Sequence, residues 1–109
     1  MPYSETLAQR IRTVLADQPG TWERKMFGGV AFMVNGNMCC GVIKDDLMVR
    51  VGPGRHEEAL ALPHARPMDF THRPMKGMVY VDPVGVVADA ALAEWDQRGL
   101  EFALSLPPK

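Results

Sequence analysis

Residues 25–51 read KMFGGVAFMVNGNMCCGVIKDDLMVRV, and no other stretch restricts the fold as much. Runs rich in β-branched and apolar residues alternate with turn residues, the pattern of consecutive antiparallel strands. The runs cover residues 30–34, 38–43 and 47–51. Asn35-Gly36 joins the first two, and this dipeptide suits a type I′ hairpin because both central residues must adopt positive φ. In the third run Leu47, Val49 and Val51 alternate with Met48 and Arg50. That predicts one buried face and one partly exposed, with Arg50 pointing outward.

Upstream, Leu7, Ile11, Val14 and Leu15 fall at the spacing of a helix with one buried stripe over residues 4–18, with Ser4 as N-cap and Pro19-Gly20 as the stop. Residues 21–25 read as a polar connector containing Trp22, after which Met26-Phe27-Gly28-Gly29 leads into the first strand. Paired glycines there permit a bulge, a positive φ, or the close approach of another backbone or a ligand. A phosphate cradle needs a strand before the glycines and a helix after them, whereas a strand follows here. Gly28 and Gly29 are therefore read first as a structural bulge and second as an anion contact.

Downstream, Gly52-Pro53-Gly54 breaks the sheet, residues 55–62 predict a short helix, 69–71 a fourth strand and 78–81 a fifth. The last element, 89–106, carries Leu92, Trp95, Phe102, Ala103 and Leu106 on one face, with Asp89 as N-cap and Pro107-Pro108 forbidding continuation. Gly99 lies on that apolar face. A mid-helix glycine costs about 1 kcal/mol relative to alanine, so the helix backbone is expected to touch the sheet or the first helix there.

Helix, three strands, short helix, two strands and helix make an α+β domain, a mostly antiparallel sheet of about five strands flanked by N- and C-terminal helices. The 109 residues fit one domain, spanning 1–109, with 47% hydrophobic and 23% charged residues as in ordinary globular proteins. Net charge is −1, so direct nucleic-acid binding, which draws on a basic excess, is disfavoured. The N-terminus has neither the basic nor the apolar region of a leader, and no run approaches the roughly 18 apolar residues of a membrane span. A cytoplasmic protein without membrane contact is expected.

The block RKMFGGVAFMVNGNM at 24–38, LMVRV at 47–51, Pro67-Met68 before Asp69-Phe70, and the four-residue spacing of Trp95, Gly99 and Ala103 carry a family resemblance. Over roughly residues 7–106 the chain resembles the N-terminal domain of the bacterial competence regulator TfoX, also called Sxy. The resemblance implies a secretion-chaperone-like α+β architecture with a helix at each end. It further implies a role in competence-gene transcription exerted through protein contacts, with a transcription regulator of the cyclic-AMP receptor type as partner.

The residues themselves assign no catalytic group, cofactor or metal. His56, His64 and His72 are eight residues apart and lack the i, i+4 spacing of metal ligands, so surface or loop positions are expected. Cys39 and Cys40, the only cysteines, are adjacent, and neighbouring strand residues point to opposite faces. That excludes a disulfide and places one thiol in the core and the other partly in solvent, without the C-x-x-C spacing of a redox pair. Asp45-Asp46 suit a turn, and Ser4 and Ser105 sit at helix ends. A non-enzymatic protein-binding domain is the leading expectation. Arg24, Lys25, Gly28, Gly29, Arg50, Arg73 and Lys76 are its candidate interaction or anion contacts. Eight methionines supply core filler or an adaptable surface. A small-ligand-binding protein or enzyme with a site near Gly28-Gly29 is the alternative, and a homodimer is left open.

Overall fold

In the computed structural model, residues 3–26, 28–67 and 76–108 are described. The first helix, α1, runs Glu5–Val14, and the Ser4 hydroxyl caps it by accepting from the Leu7 N–H at 3.2 Å. Leu7, Ala8 and Ile11 are buried, followed by Leu15 just past the helix. Val14, expected on this stripe, is exposed. The line of contact with the sheet passes through Ala8, Ile11 and Leu15, and Val14 falls on its flank.

Among the described residues six strands follow: β1 Thr21–Met26, β2 Gly29–Val34, β3 Asn37–Ile43, β4 Asp46–Arg50, β5 Ala65–Pro67 and β6 Met78–Val81. They form one sheet in the order β1-β2-β3-β4-β6-β5, every pair antiparallel. Asn35 and Gly36 both take positive φ, 54° and 84°, as the β2–β3 hairpin requires. The sheet has six described strands where about five were expected, and two of them, β1 and β5, were not foreseen, since residues 21–25 are not a connector and 65–67 pair with β6. The polar sequence of 21–25 hides β1, an edge strand that pairs with the whole of β2 from Thr21↔Val34 to Met26↔Gly29. The proposed strand at 69–71 lies outside the described residues, and the other edge of the sheet is the three-residue β5.

Between β4 and β5 a 3-10 turn, Pro53–Arg55, leads into α2, His56–Leu60. The closing helix, α3, spans Asp89–Ser105. Its N-cap position is Ala88, and Asp89, expected to cap it, stands in the first turn and pairs with Arg10 of α1 at 3.0 Å. An acidic group there still favours the positive end of the helix.

The main core lies between the helices and one face of the sheet, where Ile11, Phe32, Val49, Val79, Leu92 and Trp95 pack together. Each such side chain contributes on the order of 1.5–3 kcal/mol on burial. The opposite face carries a smaller cluster of Met48 and Met78 with Met38, Ile43 and Tyr80 against them. Among the described residues Met33, Met48 and Met78 are buried, as filler should be. Arg66 pins the short β5 by pairing with Asp46 at 2.9 Å and Asp82 at 2.5 Å, its guanidinium 5.1 Å from the Tyr80 ring centroid.

Gly99 meets the sheet as its place on the apolar face predicted. A methyl group on it would collide with the Cys39 carbonyl oxygen. Glycine therefore sets how closely α3 approaches β3.

Candidate functional site

The C-terminal half of α3 overhangs the segment that leaves β4. Between them lies a cavity of about 260 Å³ whose walls include Val51, Gly52, Arg55, Arg98, Glu101 and Phe102. A shallower depression of about 420 Å³ shares Arg55, Arg98 and Glu101 and continues along α3 past Glu94 and Gln97. Arg98 and Phe102 are one helical turn apart and so face the groove together. The Arg50 guanidinium lies 5.0 Å from the centroid of the Phe102 ring, and that of Arg98 lies 4.8 Å from the Trp95 ring. Cation–π contact of this kind holds a guanidinium in place without satisfying its hydrogen-bond donors.

Arg55 is engaged with Glu101 at 2.8 Å. Among the described residues neither Arg50 nor Arg98 has a carboxylate within 4.0 Å. The groove thus offers an apolar floor and the Arg98 guanidinium, while Arg50 stands beside it over the Phe102 ring, and the planar forks of both suit a carboxylate.

The candidate contacts read from the sequence are divided by the fold. Arg24 and Lys25 are exposed on β1 but diverge, Arg24 sharing a face with Ala31 and Lys25 with Val30. Arg50 belongs to β4, three strand spacings or about 14 Å across the sheet. It points less freely outward than expected, because its guanidinium covers Phe102. Lys76 is exposed in the turn before β6, at the same end as Arg50, where the Gly77 carbonyl accepts from the Val51 N–H at 2.8 Å. Arg73 lies outside the described residues.

Gly28 takes φ 77° in the β1–β2 turn, and a side chain on Gly29 would strike the Val42 carbonyl oxygen of β3. Turn geometry and close backbone packing account for both glycines, in place of the expected bulge. The register irregularity lies instead on β3, where the partners of Phe32 and Met33 jump from Cys40 to Met38.

That irregularity overturns the reading of the cysteines. Cys39 is the extra residue, and it breaks the alternation that would send the two thiols to opposite faces. Both are fully buried in the core beneath α3. The Cys39 thiol lies 3.7 Å from the Asp96 carbonyl oxygen and donates toward it. Asp96 itself is fully buried, and neither of its carboxylate oxygens has a hydrogen-bond partner of ordinary geometry among the described residues. Burial pushes its carboxyl up to about 7, with the nearby Cys40 thiol and the charge of Arg10 opposing the shift. Cys40 is raised well above its ordinary value by its contact with Cys39, by burial and by Asp96. A thiol held protonated and out of solvent is a poor nucleophile.

Asp96 went unremarked in the sequence although it stands four residues after Leu92 and three before Gly99, on the buried stripe. His56, expected at the surface, is buried too, its Nδ1 accepting from the Gly77 N–H at 2.9 Å. It is a satisfied core histidine. His64 is exposed and His72 is outside the described residues.

Among the described residues no group of three or more His, Cys, Asp or Glu side chains is placed to hold a metal ion, and no helix is long and apolar enough to cross a membrane. The family model described as the TfoX N-terminal domain matches residues 13–103. No curated protein and no solved structure matches the chain.

Proposed function

Because the chain belongs to the TfoX N-terminal domain family, we propose that it is a regulatory domain that works by contacting another protein and performs no chemistry of its own. In this reading an acidic segment of the partner lies in the groove beside α3, with carboxylates taken by Arg50 and Arg98. The observation that supports it is the pair of guanidinium groups held over Phe102 and Trp95 without carboxylate partners among the described residues. Arginine and aromatic side chains are enriched where protein interfaces concentrate their energy. Transcription co-regulation, through a regulator of the cyclic-AMP receptor type, is the finer form of the proposal and rests on the family resemblance.

The test compares affinity capture from the source cell by the unaltered chain and by an Arg50→Glu, Arg98→Glu double variant. Reversing both charges places like charge against an acidic partner, and recovery of the specific partner should fall at least about tenfold. Equal recovery by the two chains, or turnover of a metabolite by the pure protein, would overturn the reading.

A further inference from the structure

We infer that the free edge of β1 pairs antiparallel with β1 of a second copy, joining two six-stranded sheets into one with all helices on the same side. The inference concerns a surface separate from the α3 groove and stands or falls independently of it. One side of β1 is fully paired with β2 in unbroken register, and among the described residues no strand lies on the other side. The two edges of the sheet differ in kind. β5 is three residues long and ends in Pro67, a short, proline-blocked edge, whereas β1 is six residues with neither proline nor glycine.

The register of such a pair follows from the ladder already present. The Asn35 N–H donates to the Gly20 carbonyl at 3.1 Å, so Gly20 and Asn35 form a hydrogen-bonded pair. Alternation then turns Trp22 and Arg24 toward β2 and leaves the N–H and C=O groups of Thr21, Glu23 and Lys25 directed at the open edge. Opposed residues must also share a face of the sheet. Every centre on a residue of β1 satisfies both conditions, and two of them, Glu23 opposite Glu23 and Arg24 opposite Arg24, keep the longest overlap of the two strands.

Charge decides between them. Glu23 is held by Arg12 through two contacts, Nε to Oε2 at 2.6 Å and Nη2 to Oε1 at 2.8 Å, and this partner lowers its carboxyl below the ordinary value. Two such pairs meeting at the axis place opposite charges beside one another. Arg24 has no carboxylate partner among the described residues, so a centre there brings two uncompensated guanidinium groups together.

With Glu23 at the centre, Trp22 stands opposite Arg24 of the second copy, and the arrangement repeats across the axis. Trp22 is 48% exposed, an unusual state for so large a ring, and a guanidinium over it gives each a partner. On the helix face Lys25 of the second copy stands opposite Thr21. There a notch of about 220 Å³, bounded by Arg12, Leu15, Ala16, Gln18 and Glu23, accepts its aliphatic stem.

The test uses the full chain. Analytical ultracentrifugation over a concentration series should show the average mass rising from one chain toward two. Lys25→Pro removes an N–H aimed at the open edge and leaves the β1–β2 ladder intact. It should stay monomeric, with an unchanged circular dichroism spectrum showing that it folds. Glu23→Cys should form a disulfide-linked dimer on mild oxidation, since opposed Cα atoms in a hydrogen-bonded pair lie about 5.5 Å apart. Arg24→Cys should not, its two copies being offset by two residues. A chain that is monomeric throughout, including one that takes an extended peptide of another protein on β1, overturns the proposal. So does cross-linking of Arg24→Cys as efficient as that of Glu23→Cys.

Discussion

Replacing Asp96 by asparagine should change how the protein's stability depends on pH, and the size of the change follows from where the carboxyl sits. The group moves from 3.8 to about 7 because burial penalises its charge. The folded chain therefore keeps the Asp96 proton across a window in which the unfolded chain has already released it. This contribution to stability is fully present below the unfolded value and is lost as pH rises through the folded one. The whole shift corresponds to about 4 kcal/mol, of which about 3 kcal/mol falls between pH 5 and pH 8.

Asparagine has nearly the same shape and no charge to bury, so the variant escapes that loss. It also brings an amide in search of acceptors, and an unsatisfied amide costs about 1–3 kcal/mol at any pH. Between pH 5 and pH 8 the difference in stability should therefore move by about 3 kcal/mol in the variant's favour, leaving the variant the more stable chain near pH 8. Urea titrations at several pH values, followed by the fluorescence of Trp95 buried on the same helix, give the difference between the two proteins. Other titrating groups cancel in that difference because both chains carry them. A gap that does not vary between pH 5 and pH 8 would refute the reasoning, since it would mean that Asp96 ionises in the fold as it does in water.

Two further outcomes follow from the same region. Gly99→Ala should lower the urea midpoint. The added methyl meets the Cys39 carbonyl, and overpacking of about 1–3 kcal/mol outweighs the roughly 1 kcal/mol gained in helix propensity. A higher midpoint would show that α3 does not rest on β3 at this residue. Iodoacetamide at mildly alkaline pH should leave Cys39 and Cys40 unmodified in the folded chain and label both after denaturation, because both thiols are buried and Cys40 is held protonated. Mass spectrometry reads the result, and rapid labelling of the folded protein would contradict it.

Much of the architecture was present in local patterns. The spacing of Leu7, Ile11 and Leu15, the Asn35-Gly36 pair and the alternation of Leu47, Val49 and Val51 each act over one or two turns of chain, and each element formed where they placed it. Gly99 was legible for a similar reason, since a costly glycine on a helix's apolar face has few uses besides close packing. The candidate contacts were less so. Arg24 and Arg50 are both basic and near strands, but nothing local says that two strands separate them.

What the sequence alone determined was the kind of the strongly periodic elements, α1, β2, β4 and α3, because helix and strand periodicity depend on neighbours within a few residues. Only the tertiary structure decided that a polar run, 21–26, becomes an edge strand with β2 supplying its hydrogen bonds. The same holds for Cys39 and Cys40 beneath α3, which a slip in pairing between β2 and β3 turns to one side, and for Arg50 and Phe102, which meet from remote parts of the chain. In each case the deciding partner is distant in sequence, and its contribution exists only once the sheet has closed.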